Sequence, residues 1–577
     1  RTLVPTLVKF LMANVSHHEV NSSPNLFHRV QGRFEAGFER LRAGYVAVLQ
    51  AVLARRSLFV TIFLGACIAS CGLFLTLGRD FFPSVDSGQI RLHMRGPTGM
   101  RIEETAKLAD EVEGTIRQVI PASDLDTILD NIGLPVSGIN LAYSNGGTIG
   151  NSDAEILIAL KEGKHGNTRD YVRTLRTELA RKYPGAEFFF QPADMVTQIL
   201  NFGSPAAIDV QFAGNDPVKL RSIANNLSYR MRKIPGAVDV HVYQLDNNPG
   251  IDLRMNRTQI QQVGLNATDV AENMLDSLSG SFQTSPSFWL SKNGVVYNVA
   301  VQSPQYRINT LDDLLRTPVS HVGSGYPTQL LANLVQVKPE IQPAVVTHYN
   351  IMPTVDIYAD VDGRDLGSVS GQIQKLIKQV QPTLPRGARV TLRGQVQTMN
   401  SSFLALGVGL VMAIVLVYLL IVVNFQTWVD AFIIITALPA ALAGIAWMLF
   451  FTETTLSVPA LMGAIMTMGV ATANSILLVS FARERLAAGC DALTAAYEAG
   501  ATRIRPVMMT ALAMIIGMIP MALGMGDGGE QNAPLGRAVI GGLLFATFST
   551  LLFVPSVFAL LHRKRSQHNA EAPALGE

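Results

Sequence analysis

Six stretches of this chain are long and apolar enough to cross a bilayer, and they decide most of what it can fold into: residues 57–77, 403–423, 431–451, 458–482, 506–524 and 538–561. A helix needs about 20 mostly apolar residues to span the hydrocarbon core. None of the six carries Asp, Glu, Lys or Arg at mid-span; Arg483 and Arg505 stand at their ends. The chain is 48% hydrophobic and 16% charged, and the charge deficit falls in these stretches, whereas 79–400 has the composition of a soluble domain. The expected fold is therefore a helical membrane bundle carrying one large domain outside the bilayer. The net charge of +2 gives no case for nucleic-acid binding.

Flanking charge orients the bundle. Arg55 and Arg56 precede the first stretch, and Arg483, Arg485, Arg503 and Arg505 fill the loop between the fourth and fifth. His562, Arg563, Lys564 and Arg565 follow the sixth. Basic residues mark the cytoplasmic side. Alternating the spans then puts 79–400 outside, with the short loop near 525–536, which holds Asp527 and Glu530 and no Lys or Arg. Residues 1–13 read as the end of a membrane helix whose start precedes Arg1. Residues 27–50 form an amphipathic helix: Phe27, Val30, Phe34, Phe38, Leu41, Tyr45 and Leu49 recur at helical spacing, with Arg29, Arg33, Arg40 and Arg42 mostly on the other faces. Such a helix lies on the cytoplasmic membrane surface or packs on protein. Residues 562–577 form a cytoplasmic tail.

The outer domain alternates strands and helices. Strands are expected at Gln89–Arg95, Ala154–Leu160, Glu187–Gln191, Ala207–Phe212, Val238–Tyr243, Thr354–Ala359 and Arg389–Arg393, with helices at 101–119, 168–182, 216–233 and 367–380. Repeated strand–helix–strand units point to small split βαβ, ferredoxin-like α+β modules sharing one plan. They occupy 79–255 and 341–400, separated by a less regular inserted module at 256–340. In that insert, Asn266 with Asp269 three residues on marks a helix start, and a Gly-, Ser- and Pro-rich linker lies near 317–327.

Motifs for covalent chemistry are missing from the sequence. There is no G-x-x-x-x-G-K-[ST] phosphate loop and no G-x-S-x-G elbow. His17-His18-Glu19 lacks the second His of H-E-x-x-H, since Ser22 stands there. No cofactor is expected. Cys67, Cys71 and Cys490 are the only cysteines, and the pair four apart on a helix reads as small packing residues. The outer domain therefore has no disulfide framework. Polar groups within the spans include Thr436, Thr467, Thr472, Asn474, Ser475, Ser480 and Thr510. Asn474 in lipid needs a partner on another helix, either as helix glue or as part of a relay. Met514, Met518, Met521 and Met525 share a helical face; they read as adaptable packing, with soft-metal passage as the other reading.

Three segments resemble one transporter family. Asp80-Phe81-Phe82-Pro83-Ser84-Val85-Asp86-Ser87-Gly88-Gln89 is similar to the stretch after the seventh membrane helix of resistance–nodulation–division pumps. Gly469-Val470-Ala471-Thr472-Ala473-Asn474-Ser475-Ile476-Leu477 resembles that family's tenth helix. Arg503-Ile504-Arg505-Pro506-Val507-Met508-Met509-Thr510 resembles the start of its eleventh. The resemblance runs through essentially the whole chain and identifies it with the C-terminal half of such a permease, in the drug-exporting branch. It implies an inner-membrane, homotrimeric drug/proton antiporter with porter modules and a docking module (256–340). Its partners would be a periplasmic adaptor, an outer-membrane channel and small amphiphilic substrates. The switch loop between drug pockets would fall on Tyr143–Asn151, making Tyr143, Gly146, Gly147 and Gly150 substrate-path candidates. Phe190 and Phe202 join them, with Phe188 and Phe189, as aromatics suited to amphiphiles. Asn474, Arg505, Thr510 and Thr472 are the proton-relay candidates. Two departures follow. The family's acidic pair belongs to the first half, and Ala473 stands where many drug pumps carry lysine. A metal exporter of the same architecture and a non-transporting membrane scaffold are the competing readings.

Overall fold

The computed structural model describes residues 26–562 apart from 135–147, 164, 202, 283, 322–326 and 527, with side chains from residue 35 onward. The segments 1–13 and 563–577 and the residues Tyr143, Gly146, Gly147 and Phe202 lie outside the described residues. Among those described, six helices are long and apolar enough to cross a membrane: Arg56–Leu75, Gln395–Phe425, Trp428–Phe451, Val458–Ala487, Ala492–Ala522 and Ala533–Leu561. They are numbered first to sixth below.

The third, fourth and sixth helices form the inner layer of this bundle, and the first, second and fifth leave most of their surface exposed. The third and sixth touch backbone to backbone. A Cβ on Gly444 would stand 2.3 Å from the Gly541 carbonyl oxygen, and one on Gly541 would stand 2.2 Å from Met448 Cβ. Small residues permit this approach where lipid supplies no hydrophobic drive between helices. The sixth helix widens into a π turn at Ser549–Phe553. Pro555, which follows, has no N–H to return to the carbonyl four residues back. The Leu26–Ala54 helix meets the bundle through its C-terminal part: Leu49 and Leu53 are buried, and Tyr45 Oη donates to the Leu551 carbonyl at 2.8 Å. That part therefore packs on protein.

Between the first and second helices lie two α+β modules with one topology. In the first, β1 (Gln89–Arg95) leads through the Ile102–Val119 helix to β2 (Leu125–Ile132). Then β3 (Asp153–Leu160) leads through the Thr168–Lys182 helix to β4 (Glu187–Gln191). The strands lie in the order β2-β3-β1-β4, every pair antiparallel. Alternation sends Ile90, Leu92 and Met94 of β1 and Ala154, Ile156 and Ile158 of β3 into one core with Val112, Ile116, Leu175 and Leu179 of the two helices.

The second module begins with β5 (Ile208–Ala213), the Pro217–Met231 helix and β6 (Ala237–Val242). The chain then leaves for an insert. There β7 (Asn248–Met255) pairs with β12 (Val335–Gln342), and two small hairpins form: β8 (Ser287–Leu290) with β9 (Val296–Val299), and β10 (Pro318–Val319) with β11 (Gln329–Leu330). The Ala267–Ser279 helix starts where expected: Asp269 N–H donates to Asn266 Oδ1 at 2.9 Å, and Asn266 N–H donates to Asp269 Oδ2 at 2.8 Å. The chain returns as β13 (Thr347–Tyr349) and β14 (Met352–Val361), then the Leu366–Val380 helix and β15 (Arg389–Gly394). The main strands run β6-β14-β5-β15, the plan of the first module, with β13 added beside β14. In both modules the long excursion leaves from the connection between second and third strands: 133–152 in the first, 243–351 in the second.

Candidate functional site

Two regions gather polar groups where the surroundings are otherwise apolar or packed. The first is in the bundle. Thr510 Oγ1 of the fifth helix donates toward Asn474 Oδ1 of the fourth at 3.1 Å, and Asn474 is buried. On the fourth helix's next residue, Ser475 Oγ lies 3.0 Å from Thr550 Oγ1 in the π turn, both fully buried. Ser549 Oγ, beside it, is buried with no partner. Three helices thus meet through Asn474, Thr510, Ser475 and Thr550.

Of the four sequence-derived relay candidates, the structure brings Asn474 and Thr510 together and leaves two apart. Thr472 Oγ1 bonds back to its own helix, at 3.0 Å to Met468 O and 2.9 Å to Gly469 O; two residues are about 200° of helical rotation from Asn474. Arg505 is exposed, with its guanidinium 6.0 Å from the Phe38 ring centroid of the Leu26–Ala54 helix. Ala473 lies on an exposed face with Gly469 and Leu477. Ser475, Thr550 and Ser549 were not singled out as a cluster; Ser and Thr commonly bond within their own helix, so type alone gives no signal.

A further group ties helix ends together. Asp430, buried at the start of the third helix, has Oδ1 3.3 Å from His562 Nε2 and Oδ2 3.4 Å from Arg483 Nε, and it accepts from Thr427 Oγ1. No sequence signal marks it, because Asp430 falls just outside the apolar stretch that begins at residue 431.

The second region is the seam between the two modules, where the edges β4 and β6 face each other. Phe189 is sandwiched between two imidazoles, His93 at 4.4 Å and His241 at 3.7 Å between centroids. Arg95 Nε lies 3.2 Å from Asp153 Oδ1, and its Nη atoms donate across the seam to Val242 O (3.4 Å) and Tyr243 O (3.3 Å). On the helix side Arg176 pairs bidentately with Asp239 at 2.7 and 3.0 Å, and Arg173 reaches Asp362 at 2.8 Å. Burial pushes the His241 pKa down to about 3, so the stack contains a neutral ring. Burial also raises Asp239 against its Arg176 partner. For Asp153 burial pulls upward, but the His93 contact, the Arg95 charge and the Ile149 N–H together outweigh it and hold the carboxyl below its ordinary value.

Asp153 also fastens residues 148–150, the root of the glycine-rich run 145–150. Its Oδ2 accepts from Ile149 N–H at 3.0 Å, its N–H donates to Gly150 O at 3.2 Å, and its carbonyl accepts from Gly133 N–H at 2.9 Å. One carboxylate therefore joins the loop root, through Arg95, to the second module. Gly150 sits in this root with open space where a side chain would point. Phe190 is corrected: alternation along β4 turns it into the core of the first module, under the Arg176 guanidinium at 5.2 Å. Phe189 is the ring that faces the seam.

Comparison with known proteins places this geometry among membrane permeases. A family model described as the AcrB/AcrD/AcrF family matches residues 1–562. The cobalt-zinc-cadmium resistance protein CzcA of Cupriavidus metallidurans is 27% identical over 528 residues, covering 90% of this chain and 48% of that protein. The multidrug resistance protein MdtC of Proteus mirabilis is 26% identical over 532 residues, covering 90% and 48%. A solved heavy metal efflux pump superposes with a TM-score of 0.77 at 23% identity, over 91% of this chain and 52% of that one. The chain thus spans about half the length of the relatives it matches.

Proposed function

The chain belongs to the AcrB/AcrD/AcrF family of resistance–nodulation–division permeases, and on that premise we propose that it supplies the C-terminal half of a proton-driven exporter of amphiphilic compounds. The observation that carries this reading is the family match across residues 1–562, joined to six apolar helices that bracket two α+β modules of one topology. On this reading the six helices span the inner membrane and the modules are ferredoxin-like porter units in the periplasm. The 256–340 insert docks to an adaptor and an outer-membrane channel, and the assembly is a homotrimer.

Proton passage would use Asn474 and Thr510 with acidic groups brought by the first half to the exposed Gly469–Ala473–Leu477 face. Protonation there would bias the modules, and the seam, with its tether from Asp153 to the loop root, is where such a bias would act. The aromatic character of the seam (Phe189, Tyr243, Tyr358) suits amphiphiles. Ala473 in place of lysine leaves an acidic partner with less stabilisation of its charged form. The full-length pump should therefore shift its transport–pH profile toward lower pH in Ala473→Lys, and an unmoved profile counts against the relay.

The names of several relatives favour a second reading, export of divalent transition metals. Expressing the intact gene in a strain stripped of its own pumps decides between them. Uncoupler-sensitive efflux of a cationic dye supports the first. Cobalt, zinc or cadmium tolerance without dye efflux supports the second, and neither phenotype removes both.

A further inference from the structure

The base of the second module holds a cleft of about 440 Å³. It opens where the Asn201–Pro205 crossing from the first module, strands β5, β14 and β15, and the first turn of the Gln395–Phe425 helix meet. Two of its lining side chains are buried and unsatisfied. Asn201 is 1% exposed with neither amide atom partnered, and Asp209 is 8% exposed with Oδ1 unpartnered. Buried polar atoms nearly always find partners, from protein, water or ligand.

The cleft has two poles. Strand register sets Arg393 and Tyr358 on either side of Asp209 on one sheet face. Asp356 shares that face, held by Gln211 Nε2 at 3.0 Å and Gln244 Nε2 at 2.7 Å. Two carboxylates therefore stand against one guanidinium, which itself donates to Gln211 Oε1 at 2.9 Å. The other pole is the helix start. Gly394 is its N-cap with φ +80°, no side chain caps the first turn, and Gly394, Gln397 and Thr398 line the cleft. Gln395 N–H is taken by the Ala207 carbonyl at 2.9 Å, and the N–H groups of the residues that follow it in the first turn, with the positive dipole character of a long helix at this end, suit phosphate.

We propose that this cleft binds a phosphoethanolamine head group, its ammonium on the Asp209 carboxylate and Asn201 amide oxygen, its phosphate between Arg393 and the open first turn of the Gln395–Phe425 helix. Burial and the neighbouring Asp356 charge raise the Asp209 pKa to about 8, so an incoming ammonium displaces a proton. The groups facing Asp209 are Asp356, Arg393 and Tyr358, with Tyr243 next to Tyr358.

Two sources carry this head group: a phosphatidylethanolamine of the adjoining leaflet and free phosphoethanolamine. Below the cleft the same helix exposes Leu404, Val408, Val411 and Val415 along one face, a path for acyl chains. Five residues from Thr398 to Phe403 rise about 8 Å, close to the depth of a head-group layer. The lipid source rests on the membrane reading above; the head-group chemistry does not.

The test is calorimetric titration of the full chain in detergent with short-chain phosphatidylethanolamine, short-chain phosphatidylcholine and O-phosphoethanolamine. Saturable one-site binding of the ethanolamine lipid is expected, at least tenfold tighter than the choline lipid, whose quaternary nitrogen has no N–H to donate. Asp209→Asn and Arg393→Gln should each weaken it at least tenfold. Gln397→Trp, an exposed site that leaves the buried network intact, should abolish it. O-phosphoethanolamine binding as tightly as the lipid assigns the soluble source, and binding tenfold weaker assigns the lipid. Failure of the membrane reading would appear separately, as a chain extracted from membranes by alkaline carbonate that still binds O-phosphoethanolamine. Equal binding of the two lipids, no binding at all, or full binding by Gln397→Trp overturns the proposal.

Discussion

At the scale of single residues, His241 sets a pH dependence with a definite sign. Its folded pKa of about 3 lies below the ordinary value of 6.5, so between those values the unfolded chain binds the extra proton. Stability from this ring is full above pH 6.5 and is lost as pH falls toward 3, by a few kcal/mol in total. Chemical denaturation of the wild type and His241→Phe across that range should show the variant gaining relative stability as pH drops; a constant difference would refute it. In the bundle, Thr510→Val leaves the buried Asn474 oxygen without its cross-helix donor and should cost about 1 kcal/mol, read as a lower melting temperature in detergent. Asn474 was legible from sequence because an amide in lipid must find a partner. Thr472 and Arg505 enter through the resemblance of their segments to the family's tenth and eleventh helices; Thr472 bonds back to its own helix, and Arg505 stands exposed near Phe38. The β4 phenylalanines make the same point with period two. Alternation says that Phe189 and Phe190 face opposite ways, but only the packing of the helices says which one meets the second module.

At the scale of elements, the seam and the helix crossings are the points of leverage. Asp153→Asn leaves Arg95 buried without its counter-charge and loosens the Ile149 anchor. It should destabilise the first module by about 3 kcal/mol or more and increase proteolytic cleavage within 133–152. Gly541→Val has no room against Met448 and should prevent the third and sixth helices from closing, seen as loss of a monodisperse peak on size exclusion; Gly517→Ala, in open space, is the control. Most helices and inner strands were readable from apolar periodicity. The strand β2 was not: Asp126, Thr127, Asp130 and Asn131 make it look like a loop, because an edge strand tolerates polar residues that a central one excludes. The π turn was equally silent, since its cause is Pro555 acting on a helix whose pattern continues unbroken.

At the scale of the whole molecule, two modules of one topology meet along edges locked by a ring stack and three arginines. If transport requires these modules to part, joining Phe189→Cys to His241→Cys should arrest the full-length pump under oxidising conditions and release it on reduction. Uninterrupted efflux by the cross-linked protein would show that the seam stays shut throughout the cycle. The two-module plan itself was visible in the repeated strand–helix–strand pattern, whereas the seam was not, because only the fold brings together residues as distant in sequence as Arg95 and the carbonyls of Val242 and Tyr243, 147 and 148 positions away. The shared position of the two excursions has a separate meaning. Second and third strands are antiparallel neighbours in each sheet, so whatever length of chain joins them, the strands return to the same register. Closing a loop about five times longer costs only about 1.5 kcal/mol more. This connection is therefore a socket: a foreign domain with adjacent termini, such as a fluorescent reporter spliced into the first module there, should be carried without disturbing the sheet beneath it.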